Sequence, residues 1–279
     1  MLTQFLLAKC IDNPIFITGG GRSGTTVLGR ALGAEPSILL GADESPLINR
    51  VANLANEFEH GEKADYFQRN QTTTTPYLLR SLRTLIFESA MGPRMGRKKI
   101  IAKFVRNKCR TRLTHWVAKI GADEPTYNGL ALLYPQAKHL YMVRNGLNFV
   151  YSRTKYKGFD ERPFTEHCEL WVKYATVFKY LLGKDNALPL RHEDLLADPD
   201  TFFQKIADFL NIPHLKAATY YSKTTIVHPL DQNDQQTQSA QQTLTSRPPA
   251  HTHFTEDQKQ TFKSICAQAM QDHGYDIPF

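Results

Sequence analysis

The 279-residue chain contains no apolar run long enough to cross a membrane, which would need about 18 or more consecutive apolar residues. Its first nine residues lack the basic start and the long apolar core of a secretory signal peptide, so we expect a cytoplasmic protein. It also lacks an arginine- or lysine-rich tract with interleaved aromatic residues. Nucleic acid is therefore not an expected partner, although the formal net charge of +7 suits an anionic ligand.

Cysteine is scarce as well. The four cysteines are far apart and form no C-x-x-C pair, so we expect reduced thiols and neither a disulfide framework nor a zinc site. A hydrophobic fraction of 41% over this length predicts one domain spanning residues 1–279. Residues 228–253 are rich in Gln, Thr, Ser and Pro and are predicted to form a mobile loop or a lid.

The most informative stretch that is present lies near the start of the chain. Ile15–Thr18 is a short apolar run typical of a buried parallel strand, and the glycines Gly19–Gly21 follow it. From Gly24 the apolar spacing is helical. A strand, a glycine turn and a helix start in this order predict an anion site, because free backbone N–H groups and the positive end of a helix dipole point to one place.

The spacing within this stretch is that of a phosphate-binding loop. Residues 19–26 match the pattern G-x-x-x-x-G-K-[ST], with Thr25 at the position of the lysine that normally reaches the β- and γ-phosphates of a nucleoside triphosphate. A loop without that lysine still binds a terminal oxyanion when other side chains supply charge and hydroxyl groups. Here those side chains are Arg22, Ser23, Thr25 and Thr26.

Strand and helix patterns alternate along the chain, which predicts an α/β fold with a parallel central sheet and helices on both faces. Strands are predicted near residues 15–18, 38–40, 99–105, 139–143 and 187–190. Helices are predicted near 24–32, 47–58, 77–90, 113–120, before 134, and at 146–156, 165–182, 201–210 and 256–273, with a loop over 60–76. Ligands of such sheets bind at the carboxyl ends of the strands.

A second site residue stands at such a strand end. Arg144 closes the strand at 139–143, and Ser152 follows eight positions later inside the next predicted helix. An arginine fork with a nearby hydroxyl suits a second phosphate group. The alternative for Arg144, taken alone, is an arginine in a structural ion pair.

Three motifs in order resemble those of the sulfotransferases that use 3′-phosphoadenosine-5′-phosphosulfate (PAPS). The similarity is to the bacterial-type and tyrosylprotein branches, and it implies a phosphate-binding-loop fold of the sulfotransferase type. The first two motifs are Gly21–Thr26 and Val143-Arg144-(x7)-Ser152. The third, Arg191–Pro199 followed by Ile206–Pro213, is similar to the family's R-Y-E-D-L-L-x-x-P and F-L-G-[IL]-P patterns.

The resemblance implies roles for these residues. The 5′-phosphosulfate of the donor is expected on Arg22, Ser23, Gly24, Thr25 and Thr26, and the 3′-phosphate on Arg144 and Ser152. The donor has no γ-phosphate and the family needs no metal, which accounts for Thr25 in place of the lysine. His192 stands where the family has a tyrosine, and both a place near the adenine and a packed surface position remain open for it.

In-line displacement at sulfur requires a base for the acceptor hydroxyl and a cation for the leaving oxygen. The candidate bases are Glu44, which we prefer, and Asp43, in the segment where the family places an acidic residue. The alternative for both acids is a structural role, in which their negative charge favours the dipole of the following helix. The candidate cation is Lys108, similar in context to the family's lysine, with Lys103 as its substitute. No histidine stands in a recognisable catalytic context.

The sequence therefore predicts sulfuryl transfer from PAPS to an acceptor hydroxyl, with release of adenosine 3′,5′-bisphosphate. The alternatives are a kinase or NTPase with a phosphate-binding loop, and a catalytically silent nucleotide-binding protein. The acceptor class stays open among carbohydrate, lipid, peptide tyrosine and small metabolite. The oligomeric state is not readable from the sequence.

Overall fold

The computed structural model describes residues 12–41, 45–62, 64–70, 75–91, 113–121, 123–212, 215 and 249–279. Its strands are β1 (Pro14–Gly19), β2 (Ile38–Leu40), β3 (His115–Lys119), β4 (Lys138–Val143) and β5 (Ala187–Arg191). Its helices are α1 (Thr25–Ala34), α2 (Pro46–His60), α3 (Ala64–Asn70), α4 (Thr75–Met91), α5 (Glu124–Leu133), α6 (Gly146–Thr154), α7 (Phe164–Leu181), α8 (His192–Ala197), α9 (Pro199–Leu210) and α10 (Glu256–Asp272), with a 3₁₀ turn at Ala250–His253.

The five strands form one parallel sheet in the order β2-β3-β1-β4-β5. In the parallel pairs of β3 with β1 and with β2, Ile15 lies beside Val117 and Ile38 lies beside His115. β1 is buried over five of its six residues, as expected for a central strand covered on both faces. Helices flank the sheet, so the predicted α/β class is confirmed.

The described residues divide into two compact units, each built from several chain segments. Unit 1 contains those within 12–19, 25–141 and 180–189, and therefore most of the sheet. Unit 2 contains those within 20–24, 142–179 and 190–279, including the last residues of β4 and β5. The organisation as one domain stays a prediction.

The core of unit 1 is an aromatic cluster on the sheet. The ring centroid of Phe16 lies 5.6 Å from that of Trp116 and 5.8 Å from that of Tyr134, both edge-on. All three side chains are at most 1% exposed. Edge-on pairs of this kind contribute roughly 0.5–1.5 kcal/mol each beyond the burial of their area, so β1 and β3 are firmly joined.

The core of unit 2 joins α6, α7 and α10. Trp171 and Phe262 are buried there with Met270, and the free thiols of Cys168 and Cys266 lie in the same cluster. Helix α6 begins at Gly146, where a Cβ would lie 2.9 Å from the Trp171 ring. The close approach of Trp171 to this helix start fixes the residues just before it.

Two secondary-structure predictions are wrong. The helix predicted at residues 113–120 is absent, and His115–Lys119 within this range forms β3. The prediction failed because a strand buried on both faces shows no alternation, and apolar residues in this range recur at helical spacing. Within the loop predicted over 60–76, Ala64–Asn70 is helical.

Other predictions fall outside the described residues. The strand predicted at 99–105 lies there, as does most of the segment at 228–253, of which only residues 249–253 are described. Among the described residues, no helix combines the length and the apolar character that a membrane crossing requires.

Candidate anion-binding site

The loop after β1 has the backbone of an anion site. The Ser23 N–H donates to the Gly20 carbonyl at 3.0 Å and closes a turn. Arg22 and Gly24 have φ values of 74° and 89°, in the left-handed region that few residues other than glycine adopt. Such turns let successive N–H groups converge on one point, and an arginine held in this conformation is typical of a functional site. Thr25 then begins α1.

Two glycines of this loop are required by side chains that pack against it. A Cβ at Gly20 would overlap the ring of Phe149. A Cβ at Gly24 would lie 3.0 Å from the His192 ring, in a conformation that already disfavours any side chain. The loop is therefore shaped by close packing on its glycines, with α6 on one side and the start of α8 on another.

Arg144 reaches the loop directly. This residue follows β4, and its Nη1 donates to the Arg22 carbonyl at 2.7 Å. The next residue, Asn145, caps the start of α6: its side chain accepts from the N–H groups of Leu147 and Asn148 at 3.0 and 3.4 Å. The structure thus brings together the two arginines that the sequence assigns to opposite ends of one ligand.

The side chain of Arg22 lies along α6. Its Nε donates to the Ser152 hydroxyl at 3.4 Å, a long hydrogen bond, and its guanidinium lies 4.5 Å from the centroid of the Tyr156 ring. Arg22, Arg144 and Ser152 therefore form one connected polar group within unit 2. Two guanidinium groups and a hydroxyl in this arrangement suit a ligand with more than one phosphate.

The remaining loop hydroxyls are enclosed. The side chains of Ser23 and Thr25 are 1% and 6% exposed. Within unit 1, the half-buried Lys119 donates through Nζ to the Thr26 hydroxyl at 3.0 Å. Lys119 is the last residue of β3, and β3 is the neighbour of β1 in the sheet. This position brings its ammonium within hydrogen-bond distance of the last residue of the loop motif.

Sequence reasoning missed Lys119 because the segment around it was interpreted as a helix. The sequence does contain a feature that could have identified it. If the apolar run Trp116–Ala118 is interpreted as a buried strand, the lysine directly after it lies at the end of that strand. The predicted cations Lys108 and Lys103, and the predicted bases Asp43 and Glu44, lie outside the described residues. Their roles stay predictions.

Burial lowers the pKa of one histidine in the site, two in the sheet and one in α7. Burial, and to a smaller extent the charge of Arg144, lowers the pKa of His192 to about 3. Burial lowers the pKa of His139 to about 3, and it also lowers those of His115 and His167. Within the described part of the chain, no three His, Cys, Asp or Glu residues are grouped so as to hold a metal ion.

Comparison of the sequence with known proteins places these features in a family. The model of the sulfotransferase family matches residues 14–216. Protein-tyrosine sulfotransferase A of Caenorhabditis elegans is 26% identical over 211 residues, which are 71% of this chain and 50% of that protein. The chain spans about half the length of this curated relative.

Solved structures agree in fold. The sulfotransferase domain of the Synechococcus PCC 7002 olefin synthase has a TM-score of 0.53 at 19% identity and covers 95% of this chain and 96% of its own. Mouse sulfotransferase SULT7A1, complexed with PAP, also has a TM-score of 0.53, at 14% identity, over 96% of this chain and 89% of its own. Because the family match covers most of the chain, including both anion-binding loops and the third motif, the protein belongs to the sulfotransferase family.

Proposed function

We propose that the protein transfers a sulfuryl group from PAPS to an acceptor hydroxyl and releases adenosine 3′,5′-bisphosphate. The observation that carries this proposal is the hydrogen bond from Arg144 Nη1 to the Arg22 carbonyl, which joins the phosphate-binding loop to a second arginine site. A nucleoside triphosphate needs one such site for its chain of phosphates, whereas a donor with phosphate groups at both 3′ and 5′ needs two.

The residues present fit this donor. The N–H groups of residues 22–26 and the start of α1 suit the 5′-phosphosulfate. The Arg144 fork and the Ser152 hydroxyl suit the 3′-phosphate. The name of the mouse structure, which contains PAP, supports the same class of nucleotide.

The reaction is a displacement at sulfur. The bond between sulfur and the bridging oxygen of the nucleotide breaks, a bond from sulfur to the acceptor oxygen forms, and the hydroxyl proton passes to a base. We assign the base to Glu44 or Asp43. Negative charge develops on the bridging oxygen. We propose that it is neutralised by the ammonium of Lys119, which donates to the Thr26 hydroxyl, or by that of Lys108.

For the acceptor we propose the phenolic hydroxyl of a protein tyrosine. Support comes from the names of the curated relatives, which are protein-tyrosine sulfotransferases from several animals. A cytoplasmic location stays a prediction from the sequence.

Two measurements test the function. Calorimetric titration compares adenosine 3′,5′-bisphosphate with ATP–magnesium, and we expect only the former to bind. Transfer from ³⁵S-labelled PAPS is then measured to a tyrosine peptide, a simple phenol, a sugar and an aliphatic alcohol, with the tyrosine peptide expected to be labelled fastest. Binding of ATP–magnesium alone would instead favour a kinase or NTPase. Tight nucleotide binding without transfer to any acceptor would favour a silent binding protein.

A further inference from the structure

The peptide group that links Arg144 to Asn145 is held from both sides. The Trp171 indole N–H donates to the Arg144 carbonyl at 2.9 Å. On the other side, the Asn145 N–H donates to Oε1 of Glu193 at 2.9 Å. Both groups of this peptide therefore have a side-chain partner from a different helix. The orientation of the peptide sets the direction in which the Arg144 side chain leaves the backbone.

Glu193 has a second fixed partner. Its Oε2 accepts from the Tyr275 hydroxyl at 3.0 Å, across 82 positions of sequence. Tyr275 lies in the C-terminal segment after α10, and the Arg191 guanidinium lies 5.0 Å from the centroid of its ring. Burial and the neighbouring carboxylate raise the pKa of Tyr275 above its usual range, so its hydroxyl stays protonated and remains a donor.

The start of α8 thus reaches both anion-binding loops. His192 packs against Gly24 in the loop after β1, and Glu193 holds the loop after β4. Glu193 does not itself suit an anion, because its negative charge repels phosphate. Its two oxygens instead accept from Asn145 and Tyr275, which is the arrangement of a residue that orients others.

We propose that Glu193 is a positioning residue for Arg144, and that the C-terminal segment contributes to donor binding through Tyr275. The proposal deepens the proposed function, since the ligand it concerns is the donor nucleotide. Without the carboxylate, the Asn145 N–H loses this hydrogen bond, and the peptide keeps the hydrogen bond from Trp171 but is held less firmly. The Arg144 fork then samples several directions, and the nucleotide must restrict it on binding.

The test is calorimetric titration of adenosine 3′,5′-bisphosphate into purified variants, reading the Kd and the binding stoichiometry separately. For Glu193→Ala we expect a Kd raised roughly tenfold with unchanged stoichiometry, because a hydrogen bond to a charged group is lost. Glu193→Gln retains an acceptor for Asn145 and a partner for Tyr275, and it should restore most of the affinity. Asp194→Ala, the exposed neighbour on the same helix turn, is the matched control and should bind like wild type.

The outcomes separate the possible roles. A merely structural Glu193 would lower the stoichiometry, as misfolded protein accumulates, and leave the Kd of the folded fraction unchanged; that result overturns the proposal. Tyr275→Phe removes a single hydroxyl and keeps the ring, so it tests the C-terminal segment even if Glu193→Ala does not fold. We expect its Kd to rise about threefold, and an unchanged Kd would overturn that part. Failure of wild type to bind the nucleotide would instead refute the proposed function.

Discussion

The two anion-binding loops are built in opposite ways. The loop after β1 is shaped by side chains that are missing: Gly20 and Gly24 leave room for Phe149 and His192. The loop after β4 is shaped by side chains that are present, with Trp171 and Glu193 holding one peptide group. The first loop should therefore be damaged by adding atoms, and the second by removing them.

Adding one methyl group to the β1 loop should have the largest effect. In Gly20→Ala the new Cβ overlaps the Phe149 ring, which belongs to the core of unit 2 and has little room to move. We expect the free energy of unfolding to fall by roughly 1–3 kcal/mol. The Kd for adenosine 3′,5′-bisphosphate should rise about 100-fold or more, since the loop is displaced. Urea denaturation and calorimetric titration measure the two quantities.

Gly29→Ala is the matched control for this substitution. Gly29 lies inside α1, and a Cβ there would be 3.6 Å from the Ile17 side chain, an ordinary contact. We expect a gain in stability of up to about 1 kcal/mol, because alanine favours the helix, and an unchanged Kd. Equal losses in the two variants would contradict the idea that the β1 loop depends on its missing side chains.

Lys119 sharpens the comparison by separating binding from chemistry. It lies at the end of β3 and donates to the hydroxyl of Thr26, the last residue of the β1 loop motif. In Lys119→Ala we expect kcat for sulfuryl transfer to fall about 100-fold, with a much smaller change in the Kd for the product nucleotide, because the cation acts on charge that develops during the reaction. Radiolabel transfer at saturating PAPS measures kcat.

Lys108→Ala is measured in parallel, since the sequence favoured that lysine for the same role. The larger loss of kcat identifies the lysine that serves the leaving oxygen. A Lys119→Ala variant with the kcat of wild type would return the role to Lys108.

Removing the Arg144 guanidinium from the β4 loop is the counterpart of adding a methyl group to the β1 loop in Gly20→Ala. Arg144→Ala removes the donor to the Arg22 carbonyl and the proposed contact with the 3′-phosphate. We expect the Kd for adenosine 3′,5′-bisphosphate to rise roughly 10- to 100-fold, as for the loss of one or two charged hydrogen bonds. Arg144→Lys should recover little, because an ammonium lacks the planar fork.

The control is Arg162→Ala, which removes an exposed arginine that pairs with Glu166 at 3.6 Å. Its Kd should equal that of wild type. If Arg144→Lys bound adenosine 3′,5′-bisphosphate as tightly as wild type, a positive charge alone would be sufficient. A fixed orientation of the Arg144–Asn145 peptide would then not be needed for binding.

The sequence predicted the two loops and their strand ends because each depends on local pattern. A β-branched run followed by glycines, and an arginine directly after an apolar run, identify strand ends within a few residues. The contacts that complete the site are not local. Glu193 and Tyr275 are 82 positions apart, and the direction of the Arg22 side chain depends on a left-handed backbone conformation that no spacing reveals. Lys119 was missed because a strand buried on both faces has no alternation.

The strands before the two loops also differ in how their contribution to stability should depend on pH. β4, which precedes Arg144, contains the buried His139, whereas β1, which precedes the glycine loop, has no titratable side chain. His139 is 2% exposed, its Nε2 has no hydrogen-bond partner among the residues that the structure describes, and burial lowers its pKa to about 3. In the unfolded chain the pKa returns to about 6.5. Between these values the unfolded state binds more protons, so the stability that depends on neutral His139 is lost as the pH falls below about 6.5.

We expect the free energy of unfolding of wild type to fall by about 2 kcal/mol more than that of His139→Leu between pH 7 and pH 5. Comparing the two proteins cancels the contributions of the other histidines, and urea denaturation at each pH provides the measurement. Parallel pH profiles would show that the histidine is protonated or hydrated in the folded protein. The stability of β4, which positions Arg144, would then not depend on a neutral His139. The two loops would differ only in the side chains that contact them directly.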